Sequence, residues 1–447
     1  MLLFDSSAAP VSLAERVASA RERRERLITR IGDGVAVLAT APERVRNRDT
    51  HYPYRFDSYF YYLTAFAEPE SVLVLLGGAS PRHILFCRER DPERELWDGR
   101  RHGPAAAAQR FAFDEAYPIG ELDTRLPGLL ADRPALYCAI GDEPAWSERV
   151  ARWLNDVRAQ ARTGVRAPAS LIELRSLVDE MRVVKSAQEL SIMRRAAAVS
   201  CFAHGAAMQA TQPGRFEYEI EAELLRVFRR GGAQAPAYTS IVAGGANACV
   251  LHYVENSAQL NDGDLLLIDA GCEIDGYASD ITRTFPVNGR FGGAQKDLYE
   301  VVLDAQRAAI DTVRPGASWQ APHDAAVARL AQGFVDLGLC EGPAQRVIES
   351  GDYRRFYMHR TGHWLGLDVH DAGDYKRDGD WVRLQPGNVT TVEPGCYVRP
   401  APQVPEAFWN IGIRIEDDVV VTERGHEVLT AQAPKTVAEI EAWMQSR

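Results

Sequence analysis

The chain has 447 residues, of which 46% are hydrophobic and 25% charged, and its formal net charge is −11. This composition is typical of a globular protein and excludes a collagen-like repeat, a disordered chain and a small disulfide scaffold. The length exceeds what one hydrophobic core usually supports, so we expect two domains. Nucleic acid is not expected as a partner, because the acidic excess would repel its phosphate backbone.

The cysteines and the apolar segments indicate the cellular compartment. Seven cysteines are scattered along the chain without a C-x-x-C pair, which predicts reduced, mostly buried thiols. No apolar segment is long enough for a signal peptide or a membrane-spanning helix. We therefore expect a cytoplasmic protein with no membrane partner.

The first part of the chain has the pattern of an α/β domain. Short apolar runs, such as residues 71–76 and 83–86, alternate with glycine, proline and polar breaks, as strands of a sheet domain do. A charged connecting region follows, in which residues 171–178 are predicted as a short helix. We place one domain at residues 1–177 and the second at residues 178–447.

Two capping-box patterns predict where helices begin. Ser12 and Glu15 precede a charged helix in the first domain, and Ser186 and Glu189 precede a long alanine-rich helix in the second. In such a box the serine side chain and the glutamate side chain each accept a backbone N–H of the first turn.

Two aspartates follow at the ends of predicted strands. Asp269 ends a buried apolar strand, and Asp280 begins another strand 11 residues later, with Asp275 and Gly276 marking the turn between them. This spacing allows the two carboxylates to share a cation. Taken alone, such aspartates are more often turn formers or salt-bridge partners.

The segment from Met358 to Asp371 contains three of the ten histidines, His359, His363 and His370. Imidazole suits metal ligation or proton transfer near neutral pH, whereas a lone core histidine is usually only hydrogen-bonded in place. Three histidines together favour a functional site.

Two later strands end in carboxylates. Glu393 ends an apolar strand before a Pro-Gly turn, and the alternating isoleucines of residues 411–416 place Arg414 and Glu416 on the opposite strand face. An exposed face with an ion pair is the simpler explanation of that strand alone. The sequence lacks a zincin helix and a G-x-S-x-G nucleophile elbow, which favours a metal site built from distant residues.

In their order and context, these carboxylates and one histidine resemble the five ligands of the pita-bread metallopeptidases. Within that family the chain is most similar to the bacterial aminopeptidase P branch. The similar segments are residues 57–69, 95–101, 251–253, 266–272, 279–286 and 363–371. One departure is Arg360, where a smaller residue is expected. The resemblance implies an α/β (α+β) protein with a smaller N-terminal α/β domain and a C-terminal pita-bread (creatinase/aminopeptidase-like) catalytic domain.

The resemblance also implies a dinuclear centre of two divalent metal ions, most fittingly Mn²⁺, with Co²⁺, Zn²⁺ and Fe²⁺ as alternatives. An oxygen-rich donor set agrees with Mn²⁺. Two such ions can bind a bridging water or hydroxide and lower its pKa. The implied ligands are Asp269, Asp280, His363, Glu393 and Glu416, with Asp280 and Glu416 bridging the metals.

Further roles follow from the same resemblance. Glu393 is expected to carry protons, His252, His359 and His370 to surround the substrate carbonyl, and Arg414 to orient Glu416 or bind substrate. Tyr397 is expected to line the cleft. Trp97 is expected to reach the site of a neighbouring subunit in a homo-oligomer, dimer or tetramer, although a core tryptophan is the simpler explanation.

The implied activity is release of the N-terminal residue from peptides with proline in second position. Proline makes this bond a tertiary amide with fixed φ, so a proline-shaped pocket is expected. Prolidase, which accepts only Xaa-Pro dipeptides, is the first alternative. Methionine aminopeptidase and creatinase-type enzymes rank lower, and a metal-free binding module of the same fold is the alternative from another class.

Overall fold

The computed structural model describes residues 10–141 and 144–446. The chain divides into two compact units, Val11–Met181 and Arg182–Arg447. The second unit thus begins four residues after position 178, where we placed the second domain.

The N-terminal unit contains seven helices and eight strands among its described residues. The helices are α1 (Leu13–Ile31), α2 (Ser58–Thr64), α3 (Pro92–Asp98), α4 (Gly103–Arg110), α5 (Leu122–Leu130), α6 (Pro144–Arg158) and α7 (Arg175–Arg182), the last of which ends just past the unit. The strands are β1 (Val35–Ala39), β2 (Val45–Asn47), β3 (Thr50–His51), β4 (Val72–Leu76), β5 (Arg82–Cys87), β6 (Glu115–Pro118), β7 (Ala135–Cys138) and β8 (Ser170–Glu173).

Six of these strands form a mixed sheet in the order β6-β5-β4-β1-β7-β8. Strand β4 is buried along its whole length, which explains its uninterrupted apolar sequence. Helix α1 begins with the predicted capping box of Ser12 and Glu15. The predicted helix at 171–178 is wrong in its first part, because residues 170–173 pair with β7 as a parallel edge strand and the helix begins only at Arg175.

The C-terminal unit contains the remaining elements that the structure describes. Its helices are α8 (Ala187–Ala210), α9 (Glu217–Arg230), α10 (Gly293–Asp311), α11 (Ala321–Asp336), α12 (Ala344–Ser350) and α13 (Val437–Gln445). Its strands are β9 (Ala235–Pro236), β10 (Ile241–Gly244), β11 (Leu265–Asp269), β12 (Cys272–Ile274), β13 (Tyr277–Ala278), β14 (Thr282–Pro286), β15 (Lys376–Arg377), β16 (Asp380–Trp381), β17 (Val389–Val392), β18 (Gly395–Val398), β19 (Ile411–Arg414), β20 (Asp417–Val421) and β21 (His426–Val428).

Small antiparallel sheets make up the centre of this unit. The orders are β10-β11-β14, β17-β20-β21 and β13-β12-β9, and β18 pairs with β19. The long helix α8 begins with the predicted capping box of Ser186 and Glu189. The predicted turn at Asp275 and Gly276 joins β12 to β13, with φ values of 49° and 84°. Two successive positive φ angles are what a tight hairpin turn requires.

The remaining general predictions concern thiols and membranes. All seven cysteines are buried and unpaired, as the sequence predicted. In the part of the chain that the structure describes, no helix is long and apolar enough to cross a membrane.

Candidate metal centre

The two aspartates are brought together by a close backbone approach. Asp269 ends β11 and lies opposite Thr282 of β14. A Cβ atom at Gly271 would lie 1.8 Å from the Ser279 carbonyl oxygen, so only glycine allows the two segments to approach this closely. The result is that Asp280, just before β14, lies beside Asp269 at one edge of the sheet.

The segment from Met358 to Asp371, which we call the histidine loop, also approaches a strand closely through its backbone, in this case β17. The Thr391 N–H donates to the His363 carbonyl at 3.0 Å, and the Glu393 N–H donates to the Thr361 carbonyl at 2.8 Å. A Cβ atom at Gly362 would lie 2.1 Å from the Thr391 carbonyl oxygen. This backbone pairing brings His363 and Glu393 to the same site, although 30 residues separate them in sequence.

Glu416, two residues after the end of β19, is the fifth candidate metal ligand. Its backbone N–H donates to the Thr282 carbonyl at 3.0 Å, and its Oε2 accepts the Thr282 hydroxyl at 2.6 Å. Arg414 and Glu416 both line the cavity that contains the other candidates, as the alternation of residues 411–416 predicted. The alternative of an exposed strand face is excluded, because Arg414 and Glu416 are only 4% and 2% exposed.

The geometry of the cluster suits metal ligation. Single ligand atoms of Asp280, His363 and Glu416 all lie within 4.8 Å of one another. His363 Nε2 lies 3.4 Å from Asp280 Oδ2 and 3.8 Å from Glu393 Oε1. His363 Nδ1 lies 2.9 Å from the Trp364 carbonyl oxygen, so an N–H at Nδ1 would leave the Nε2 lone pair directed at the carboxylates, as in many metal-bound histidines.

The carboxylates of the cluster repel one another, which favours the binding of cations. Burial and then the charges of Asp280, Glu393 and Asp269 raise the pKa of Glu416 well above its usual value. Burial raises the pKa of Glu393 to about 7. Such mutual repulsion among buried carboxylates is relieved when divalent cations bind between them. The donor set of four carboxylates and one imidazole therefore fits two such ions.

The predicted catalytic histidines line the same cavity, together with Arg414. His359 Nε2 lies 2.9 Å from the Tyr397 hydroxyl oxygen, and the rings of His363 and His370 have centroids 4.2 Å apart. Burial and then the charge of Arg414 lower the pKa of His359 to about 3, so this imidazole is neutral near pH 7. His252 is an exposed residue of the cavity wall.

Trp97 lies elsewhere in the chain, on helix α3 of the N-terminal unit. Its side chain is 85% exposed, so the simpler explanation of a core tryptophan is wrong. Its neighbour Leu96 is equally exposed.

Two polar residues of the site were missed by sequence analysis. The Tyr238 hydroxyl lies within hydrogen-bond distance of the carboxylates of Asp269 and Asp280, which share its one proton, and the Thr282 hydroxyl accepts from Arg414 Nε at 3.1 Å. Thr282 lies in residues 279–286, one of the segments that carry the family resemblance, and that position could have identified it as a site residue. Tyr238 lies in no motif, and only the fold brings it to the aspartates.

The cavity is large enough for a peptide. Its volume is about 1160 Å³, beyond the roughly 300–1,000 Å³ of common small-molecule pockets. Apolar and aromatic side chains share its lining with the polar groups, among them Ile241, Leu251, Val254, Trp319, Val369 and Trp381. The site therefore combines a buried polar centre with walls that can pack against a peptide.

Comparisons with known proteins agree with this geometry. Residues 191–423 match the model of metallopeptidase family M24, and residues 20–137 match that of the aminopeptidase P N-terminal domain. The Xaa-Pro aminopeptidases of Haemophilus influenzae and Escherichia coli are 45% and 44% identical to the chain over 95% of its length, which is 96% and 97% of theirs. The structure of aminopeptidase PepP from Pseudomonas aeruginosa has a TM-score of 0.95 and 51% identity, over 98% of this chain and 99% of that one.

The chain therefore belongs to metallopeptidase family M24, with a pita-bread catalytic domain that follows an aminopeptidase P N-terminal domain. Within that family it is a metallo-exopeptidase with the activity of the Xaa-Pro aminopeptidases, which release the residue before proline. The predicted family, fold class and enzyme class are thus confirmed, and prolidase and a metal-free binding module are not favoured. The family also implies divalent metal ions at this centre.

Proposed function

We propose that Asp269, Asp280, His363, Glu393 and Glu416 bind two metal ions in this Xaa-Pro aminopeptidase. The observation that carries the proposal is the convergence of these donors, from four separate segments, on one cavity. Asp280, His363 and Glu416, whose donor atoms lie within 4.8 Å of one another, would hold one ion together, and the family resemblance assigns the bridging roles to Asp280 and Glu416. Mn²⁺ is the proposed metal, since oxygen donors dominate the set.

When bound, the two ions supply a nucleophilic water of lowered pKa and polarise the scissile carbonyl. The chain's own residues supply the remaining steps. Glu393 is the proposed proton carrier, because its carboxylate lines the cavity beside His363 and a carboxylate can transfer a proton in general acid-base catalysis.

The histidines and Arg414 are proposed to stabilise the reacting carbonyl. His359 is half-buried and neutral, so it can contact the substrate without bringing a charge that opposes the cations. His252 and His370 line the more open part of the cavity, where they can contact the peptide. Tyr397 is buried and does not line this cavity, contrary to the expectation from sequence, so it is proposed to act on substrate through its hydrogen bond with His359.

We also propose that the enzyme is cytoplasmic and forms a homo-oligomer in which Trp97 contributes to a neighbouring site. The exposure of Leu96 and Trp97 on one short helix supports a contact surface there. Sedimentation of the parent protein and of Trp97→Ala tests this: a monomeric parent with full activity would contradict it.

The activity is tested with Xaa-Pro-Yaa, Xaa-Pro and Xaa-Ala-Yaa peptides on metal-stripped protein, with and without added Mn²⁺. We expect Mn²⁺-dependent release of the first residue from the proline tripeptide only. Cleavage confined to the dipeptide would indicate prolidase. Metal titration of Glu416→Gln and Asp280→Asn, with exposed Glu341→Gln as the control, tests the ligand assignment.

A further inference from the structure

A group of cationic and aromatic side chains lies in the same cavity as the metal-ligand candidates. Arg360, Lys376 and Trp381 all line it, and we call this group the cationic rim. The guanidinium carbon of Arg360 lies 4.9 Å from the centroid of the Trp381 ring, and Lys376 Nζ lies 4.3 Å from it. One indole ring therefore contacts two positive charges.

The β15-β16 hairpin explains why Lys376 faces the cavity. Lys376 is opposite Trp381 and Arg377 is opposite Asp380, so the two pairs occupy opposite faces of the hairpin. Lys376 and Trp381 line the cavity, whereas Arg377 and Asp380 do not. The hairpin thus presents one cation and one indole to the substrate side and directs its other charged pair elsewhere.

Arg360 reaches the same ring from the histidine loop. Its guanidinium donates to the Gln320 side-chain oxygen and packs on Trp381. Among the residues that the structure describes, neither Arg360 nor Lys376 pairs with a carboxylate. Both side chains are exposed, and their packing on the indole limits the rotamers they adopt. Two oriented positive charges are therefore available to a ligand.

We propose that the cationic rim binds a carboxylate of the leaving peptide, on the C-terminal side of its proline. This rests on the Xaa-Pro aminopeptidase activity. Only one residue precedes the scissile bond, and its terminal ammonium is repelled by the like charges of Arg360 and Lys376. The rim consequently suits the peptide that follows the bond. Its anionic group is either the terminal carboxylate or an acidic side chain.

The test compares two matched peptide pairs on the Mn²⁺-loaded enzyme. Ala-Pro-Ala against its C-terminal amide reports on the terminal carboxylate, and Ala-Pro-Glu amide against Ala-Pro-Gln amide reports on the side chain. We expect kcat/KM to favour the anionic member of at least one pair. Arg360→Gln and Lys376→Gln should each reduce that preference about two- to fivefold, the range of exposed ion pairs, mainly through KM.

Arg377→Gln is the matched control, because it removes one positive charge from the opposite face of the same hairpin. It should keep the parent preference and cleave the neutral peptides within about twofold of the parent rate. Equal cleavage within both pairs by the parent, an unchanged preference in both rim variants, or an equal loss in Arg377→Gln would overturn the proposal. Failure of the parent to cleave any of the four peptides would contradict the activity itself.

Discussion

Arg414 and Asp269 form a buried ion pair in which Nη2 lies 2.6 Å from Oδ2. The same guanidinium donates through Nη1 to the Tyr397 hydroxyl at 2.9 Å and through Nε to Thr282 at 3.1 Å. Thr282 in turn donates to Glu416 at 2.6 Å. Arg414 is thereby connected to two of the metal-ligand candidates.

We predict that Arg414→Lys weakens metal binding although the positive charge is retained. A lysine ammonium cannot reproduce the three directions in which the guanidinium donates. Loss of such a ligand-orienting contact typically costs about 10- to 100-fold in metal affinity or activity. Isothermal titration with Mn²⁺ and steady-state kinetics measure both, and Arg399→Lys is the control. Parent-like values for both quantities in Arg414→Lys would contradict the role.

Tyr397→Phe tests the contact between the tyrosine and His359. The substitution removes the hydroxyl that lies 2.9 Å from His359 Nε2 and accepts from Arg414. We expect kcat to fall by about three- to tenfold, the value of one hydrogen bond. If the tyrosine acts through His359, the double variant with His359→Gln should lose less than the sum of the two single effects. Additive losses would show that the two residues act independently.

Glu217, at the start of α9, is a fully buried carboxylate that does not belong to the metal-ligand group. Its Oε1 accepts from the Gly244 N–H at 2.7 Å and from Asn247 at 3.1 Å. Its Oε2 accepts from the Tyr253 hydroxyl and the Ala258 N–H, both at 2.8 Å. Glu217 thus fixes both ends of the loop that carries His252, without lining the cavity itself.

We predict that Glu217→Gln impairs catalysis by displacing this loop. The glutamine amide would place an N–H₂ group against two of the four donors, at a cost of about 1–3 kcal/mol in unfolding free energy. We expect kcat/KM to fall on the order of tenfold with metal affinity unchanged. Glu219→Gln on the same helix is the control, since glutamine serves equally in its capping box. Parent-like kinetics in Glu217→Gln would rule out the positioning role.

The sequence predicted where the strands of the site end, because each of these strands is visible as alternating or consecutive apolar residues. Asp269 ends β11, Glu393 directly follows β17 and Glu416 follows β19 by two residues, and each was assigned from such a pattern. The two capping boxes were likewise correct, because a cap depends on residues only three positions apart.

Contacts between distant segments could not be predicted in the same way. Tyr238 meets its aspartates across 31 and 42 residues of sequence, and Glu217 meets Tyr253 and Ala258 across 36 and 41. The wrong helix prediction at residues 171–173 has the same origin. Pairing with β7 gives that segment a backbone partner that outweighs its local helical pattern.

The N-terminal unit offers a pH prediction at a site far in sequence from the metal ligands. His83 is 6% exposed, and its Nδ1 accepts from Arg24 Nε at 3.3 Å. Burial and then the charge of Arg24 lower the pKa of His83 to about 4. An unfolded histidine has a pKa near 6.5. Between these two values the unfolded chain binds a proton that the folded protein does not, so the free energy of unfolding falls as the pH drops from about 6.5 towards 4.

His83→Asn should remove this contribution, because asparagine does not titrate and its side-chain oxygen can accept from Arg24 in place of Nδ1. Relative to its value above pH 7, the free energy of unfolding of the parent should fall at pH 5 by about 2 kcal/mol more than that of the variant. Urea titrations at pH 7.5 and 5.0 measure the difference. His51→Asn, at an exposed position of the same unit, should follow the parent. If His83→Asn loses as much stability on acidification as the parent does, the buried histidine carries no proton linkage and its low pKa is refuted.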